Sequence, residues 1–152
     1  KKLNSYRTGR VVEFDGRKYS PGSIVILTAE KRLYHVINSK KAKVYLIGVG
    51  RYGFTWAGKS HVSKKAEWPS WRPPAEMLQR DPDLPKFMEG GLKNPLGARA
   101  LYLGSSLYRI HGTNAPWTLG RSASSGCIRM ANADVIDLYN RVRVGAKVYV
   151  YH

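Results

Sequence analysis

Short runs of β-branched and other apolar residues, separated by turn residues, are the feature that most limits the folds open to this chain. Three such runs follow one another at residues 23–28, 32–38 and 43–49. The segments between them are short and polar, as tight turns are. Apolar strands joined by tight turns are typical of an antiparallel meander. This part of the chain therefore predicts a β-sheet.

The end of the chain predicts more strands and one clear helix. Residues 98–104 and 106–111 predict two strands, and 146–151 predicts a final apolar strand. Apolar residues keep helical spacing over 133–142, and Asn132 is a residue type suited to cap that helix. The predicted fold class is mainly β, with one or two short helices.

Residues 50–97 differ from their neighbours because proline is concentrated there, together with Trp56, Trp68 and Trp71. Proline at this density excludes most regular structure, although Pro74 suits the first turn of a short helix over 75–80. We therefore predict an irregular insertion. Such an insertion is either functional or a covering flap that seals the core.

The beginning of the chain is polar and basic, so we expect residues 1–18 to be a loosely ordered lead-in to one domain over 19–152. Within the lead-in, Asp15-Gly16 predicts the turn of a small hairpin, because this pair adopts the positive φ angles of a two-residue turn. The chain starts at Lys1 without a visible signal peptide, as a mature or trimmed chain would. No apolar run approaches the length of a membrane span.

The net charge is +16 over 152 residues, which predicts an anionic partner or surroundings. Nucleic acid, an anionic membrane surface and a carboxylate-rich wall polymer all fit that charge. The Lys and Arg residues are spread along the chain, and no nucleic-acid-binding motif stands out. We therefore do not expect nucleic acid as the partner.

The chain has one cysteine, Cys127, so it can form no internal disulfide. His111 precedes it in the same Gly-rich region. A thiol is mostly protonated near neutral pH, because its pKa is about 8.5, and a neighbouring His lowers that pKa or takes the proton. A predicted strand end and a predicted helix start bring both residues to one edge of the sheet. The alternative for a lone Cys is a small buried core residue.

Other residues near Cys127 fit acyl-transfer chemistry. Gly126 would let backbone N–H groups point at a developing oxyanion. Arg129 presents a planar fork suited to a carboxylate, or alternatively to loop carbonyls. No acidic residue lies between His111 and Cys127, so a backbone carbonyl is the candidate to orient the imidazole.

The remaining histidines do not predict a metal site. His35, His61 and His152 are scattered, whereas zinc needs three or four ligands with short internal spacings. No nucleotide-binding glycine motif or serine-hydrolase motif is present either. We therefore expect no metal and no cofactor.

The residues around Cys127 resemble the L,D-transpeptidase catalytic domain, also called the YkuD family. The family motif is a His, a gap, and Ser/Thr-x-Gly-Cys followed by an apolar residue and Arg. It stands here as His111-Gly112-Thr113 and then Ser124-Ser125-Gly126-Cys127-Ile128-Arg129. Ser125 replaces the His that many members carry. The resemblance extends from about Tyr19 to Tyr151 and is similar to the Gram-negative periplasmic branch.

The resemblance implies a β-sandwich-like fold, a periplasmic or cell-envelope location and a cysteine acyltransferase. Cys127 would attack the third-residue carbonyl of a peptidoglycan tetrapeptide stem and release D-Ala. The thioester would pass to a diaminopimelate side chain or to an envelope-protein amine. His111 would be the base and then the acid, and the Gly112 carbonyl would orient its ring.

The resemblance also assigns binding roles. The Gly126 and Cys127 amides would form the oxyanion hole, and Arg129 would anchor a stem carboxylate. Trp117, Tyr108 and Ser125 would line the groove, and carbapenems would acylate the thiol. The alternatives are an L,D-carboxypeptidase or crosslink hydrolase using the same site, or a peptidoglycan-binding domain without catalysis.

Overall fold

The computed structural model describes residues 8–50, 57–73, 75–106, 108–121 and 128–152. Their strands are β1 (Arg10–Glu13), β2 (Ile24–Leu27), β3 (Arg32–Val36), β4 (Lys41–Val49), β5 (Gly58–Glu67), β6 (Arg99–Leu103), β7 (Arg109–His111), β8 (Ile128–Met130) and β9 (Lys147–Tyr151). Their helices are α1 (Ala75–Arg80), α2 (Asn132–Arg141) and a single 3₁₀ turn, η1 (Pro116–Thr118). The predicted mainly β fold class with short helices is confirmed.

The predicted meander is confirmed in β2, β3 and β4. These strands pair in antiparallel fashion in the order of the chain. β9 then joins β2 in parallel, which brings the end of the chain back to its beginning. The apolar, β-branched character of these runs is what made them recognisable.

Strand β4 links the two halves of the sheet. Its first residues pair with β3 and β1, whereas Ile47, Gly48 and Val49 pair with β8. Because β8 also lies in parallel beside β7, the sheet returns on itself through β9, β5 and β6. The two halves enclose one apolar core, as expected for a sandwich-like fold. Both halves contribute to it, through Ile24, Ile26, Leu33, Leu101, Ile110 and Ile128 among others.

Part of the 50–97 segment is regular, so the expectation of an irregular insertion is wrong there. Strand β5 is ten residues long; residues 58–61 pair with β9, and residues 62–67 pair with β6 with a bulge between Val62 and Lys64. The sequence of β5 lacks the apolar pattern of a strand, because its only fully buried apolar side chain is Val62, while Lys59, His61 and Lys64 are exposed. Trp56 lies outside the described residues.

The stretch between β5 and β6 is mostly irregular, as predicted, and Asn94 organises it from inside. The buried Asn94 side chain donates from Nδ2 to the carbonyls of Pro69, Met88 and Glu89 at 3.0–3.2 Å. Its Oδ1 accepts the N–H of Leu96 at 2.8 Å. These side-chain bonds satisfy backbone carbonyls in a segment where proline, which lacks an N–H, prevents regular strand pairing.

The predicted hairpin around Asp15-Gly16 is wrong. β1 lies within the segment expected to be a lead-in, and it pairs with β4 along four residues instead of with residues 17–19. Gly16 is required for another reason, since a Cβ there would collide with the backbone oxygen of Asn38. Residues 1–7 lie outside the described ranges. Across those ranges, no helix combines the length and apolar character that a membrane crossing requires.

The closed sheet makes a prediction for two isoleucines of different burial. Ile110→Ala in β7 removes a side chain that is 0 % exposed, whereas Ile37→Ala trims one that is 39 % exposed. A buried cavity costs about 2–5 kcal/mol of unfolding free energy, and a surface trim costs less than about 1 kcal/mol. Urea unfolding of both variants measures the difference. Equal losses would contradict the assignment of β7 to the core.

Candidate active site

His111 is the last residue of β7, the strand between β6 and β8. It pairs with Ala100 on one side and with Arg129 on the other. Its side chain is buried, with 4 % exposure. The sheet therefore holds an ionisable ring at the end of a strand, and the backbone of that strand is paired with β6 on one side and β8 on the other.

The His111 ring has a defined hydrogen-bond partner. Its Nδ1 lies 2.5 Å from the carbonyl oxygen of Gly112. A carbonyl can only accept, so Nδ1 carries the hydrogen and donates it. In the neutral ring this leaves the lone pair on Nε2, which is the form able to take a proton from a reactant.

Burial and charge keep this ring neutral. Desolvation lowers the pKa of His111 to about 4, and the positive charges of Arg109 and Arg129 act in the same direction. The hydrogen bond to Gly112 acts in the opposite direction but does not prevail. The free base is therefore the dominant form of His111 near neutral pH.

The loop after His111 is tied to Asn132 at the start of α2. The Oδ1 atom of Asn132 accepts the N–H of Thr113 at 3.2 Å and the N–H of Ala98 at 3.0 Å. The predicted capping role of Asn132 is wrong, because Ala131 occupies the N-cap position and α2 has no side-chain cap. The polar side chain bonds to two other segments instead of to its own helix.

Arg129 lies in β8, beside His111, with 5 % exposure. Its Nε donates to Thr118 Oγ1 at 3.2 Å. On the β4 side it faces Gly48, where a Cβ would come within 3.0 Å of the guanidinium and of the Thr118 carbonyl. Arg129 thus packs between β4 and the η1 turn, in space that Gly48 leaves open.

The other predicted site residues fall into three groups. Trp117 is 71 % exposed in η1, next to Thr118. Tyr108 packs against the core cluster at the end of β7 opposite to His111. Ser125, Gly126 and Cys127 lie outside the described residues. Of the predicted set, the structure brings His111, Gly112 and Arg129 together, with Trp117 in the turn bonded to Arg129.

Several contributors to this site carried no recognisable signal in the sequence. Gly48 faces Arg129 from a strand far away in the chain, and Thr118, which accepts from Arg129, lies 11 residues before it with no pattern that links the two. Asn132 has the residue type of a helix cap, and no local pattern indicates its bonds to Ala98 and Thr113. Across the described ranges, no three His, Cys, Asp or Glu side chains come together as a metal ion would require.

Residues 21–150 match the model of the YkuD family, the L,D-transpeptidase catalytic domain. The probable L,D-transpeptidases ErfK/SrfK and YbiS of Escherichia coli K12 are each 39 % identical, over 136 and 134 residues. These alignments cover 84 % and 82 % of this chain but 43 % of each relative. The chain therefore spans less than half the length of these relatives.

Two solved structures are similar to this one. A crystal structure described as a probable carnitine operon oxidoreductase, CaiA, from Brucella melitensis is 47 % identical and has a TM-score of 0.63, covering 93 % of this chain and 92 % of that chain. L,D-transpeptidase 3 from Mycobacterium tuberculosis is 18 % identical with a TM-score of 0.68, covering 86 % and 60 %. The second likeness shows the fold. By the family match and the Escherichia coli relatives, the chain belongs to the YkuD family of L,D-transpeptidase catalytic domains.

Proposed function

We propose that this domain is a peptidoglycan L,D-transpeptidase in which Cys127 is the nucleophile and His111 its base. The observation that carries the proposal is the buried His111 ring, whose Nδ1 donates to the Gly112 carbonyl and whose Nε2 is thereby the basic nitrogen. A positioned base of this kind is what a thiol nucleophile requires. Family membership supports the same chemistry.

Chain connection supports the pairing of Cys127 with His111. Cys127 is bonded directly to Ile128, the first residue of β8. Ile128 pairs with Ile110, the neighbour of His111. His111 therefore lies in β7, and the neighbouring strand β8 begins at the residue that follows Cys127.

The reaction proceeds in two acyl transfers. His111 Nε2 takes the thiol proton as Sγ attacks the carbonyl of the third stem residue, and the amides of Gly126 and Cys127 stabilise the oxyanion. The C–N bond to D-Ala then breaks, and His111 returns the proton to the leaving amine. An acceptor amine attacks the thioester, gives up its proton through His111 and frees the thiol.

Positive charge around the site fits a substrate that carries carboxylates. Arg109 and Arg129 are close enough to lower the pKa of His111 electrostatically, and the whole chain carries +16. Such a field attracts anionic substrates and favours a thiolate. Arg129 adds to this field from its buried position against Thr118, while Ser125 and the exposed Trp117 line the groove.

The acceptor is a diaminopimelate side chain or an amine of an envelope protein, and the domain works in the periplasm or cell envelope. Water as the acceptor would instead give an L,D-carboxypeptidase or a crosslink hydrolase from the same thioester. A domain that only binds peptidoglycan would form no thioester at all. The products of a tetrapeptide substrate, with and without an added amine, separate these outcomes.

The covalent step predicts a mass change that depends on Cys127. Wild type mixed with a tetrapeptide-stem muropeptide, or with a carbapenem, gains one acyl group by intact mass, and Cys127→Ala gains none. The circular dichroism and thermal unfolding of Cys127→Ala should match those of wild type. An adduct on Cys127→Ala would contradict the assignment of the nucleophile.

The low pKa of His111 predicts the acid limb of the pH–rate profile. A base with an ordinary pKa of about 6.5 loses activity below that value, whereas His111, with its pKa lowered to about 4, stays deprotonated well below it. The rate of carbapenem acylation should therefore fall only below about pH 5.5. Stopped-flow absorbance over about pH 3 to 8 includes the expected midpoint near the lowered pKa of about 4 and measures it. A midpoint at about 6.5 or higher would contradict a buried neutral base.

A further inference from the structure

Asn132 has an arrangement that helix capping does not explain. Its Oδ1 accepts two backbone N–H groups, those of Ala98 and Thr113, from two segments that are far apart in the chain. The first segment is the end of the insertion, where β6 begins. The second is the loop that follows His111. A single amide oxygen therefore joins three parts of the fold at the candidate site.

The backbone around this oxygen is shaped to admit it. A Cβ on Gly112 or on Gly97 would collide with Asn132 Oδ1. Gly97 has a φ of +65°, a conformation that favours glycine. The insertion is fastened at the same place, since Gly97 donates to the Asn94 carbonyl at 3.0 Å. Two glycines thus leave the space that the Asn132 side chain fills.

The two hydrogen bonds at the loop act on one peptide unit. The N–H of Thr113, which Asn132 accepts, and the C=O of Gly112, which accepts from His111 Nδ1, belong to the same peptide group. A peptide group is planar, with its N–H and C=O directed to opposite sides. Holding the N–H in place therefore fixes the direction of the carbonyl that holds the ring.

We propose that Asn132 is a positioning residue for His111, which locks the Gly112–Thr113 peptide so that its carbonyl selects the Nδ1–H tautomer of the ring. The effect on catalysis rests on the proposed function, because it matters to the rate only if His111 is the base. The effect on the tautomer does not depend on any reaction. Both effects depend on a side-chain oxygen that accepts two hydrogen bonds. Asp also has such an oxygen, and Ala does not.

The test is the tautomer of His111 in ¹⁵N-histidine-labelled protein near neutral pH, with the signal assigned by its loss in His111→Gln. Wild type and Asn132→Asp should show the hydrogen on Nδ1. Asn132→Ala should show a mixture that includes the Nε2–H form, because the carbonyl is no longer aimed. Asn132→Ser, whose hydroxyl is on a side chain too short to reach the position of Oδ1, gives the same readout if the alanine variant does not fold.

Asn38→Ala is the matched control. The Oδ1 of Asn38 also accepts two backbone N–H groups, those of Lys40 and Lys41, at 2.8 and 3.0 Å in an exposed turn. Asn38→Ala removes both of these hydrogen bonds and should lower the free energy of unfolding, while the His111 tautomer and the acylation rate stay unchanged. In Asn132→Ala the carbapenem acylation rate should fall by about 10²-fold, as expected for a displaced catalytic group, and Asn132→Asp should recover part of it.

An unchanged Nδ1–H signal and an unchanged acylation rate in Asn132→Ala and Asn132→Ser would overturn the proposal and leave Asn132 with a structural role only. A tautomer shift in these variants, in a protein whose wild type forms no acyl adduct, would support the positioning of His111 and reject the proposed transpeptidase chemistry. The two claims therefore fail by different results.

Discussion

Strand β4 hydrogen-bonds to β3 along its first residues and to β8 through Ile47, Gly48 and Val49. This change of partner closes the sheet and lays β8 beside β7, so that Arg129 and His111 become neighbours. The loop between those strands also returns along β4, since Gly120 donates to the Ile47 carbonyl at 2.9 Å. The site is thus built where the sheet closes, on β7 and β8, with β8 hydrogen-bonded to both β4 and β7.

Close backbone approach is the second requirement of this site. Gly48 leaves room for the Arg129 guanidinium, and Gly97 and Gly112 leave room for the Asn132 amide. Glycine weakens a strand or a loop through its conformational freedom. Here the space lets Asn132 Oδ1 accept two backbone N–H groups. It also lets the Arg129 guanidinium lie buried near His111, where its charge acts with desolvation to lower the pKa of the imidazole.

The sequence was informative where residues adjacent in the chain act together. The apolar runs of β2, β3 and β4 predicted the meander, and the family resemblance, carried by a local motif, implied the Gly112 carbonyl beside the His111 ring. Prediction was wrong where the decisive partner is distant. β5 has a polar face and only one fully buried apolar residue, Val62. Asn132 has the local features of a helix cap, and only the folded chain brings Ala98 and Thr113 to it.

The central claim is that a neutral His111 serves the thiol of Cys127. A crystal structure of the carbapenem-treated protein tests it most directly. The account predicts continuous density from Cys127 Sγ to the opened lactam, with His111 Nε2 facing the thioester at about 3–4 Å and Nδ1 still bonded to Gly112. Density on another residue, or a His111 ring turned so that Nε2 meets the Gly112 carbonyl, would contradict it.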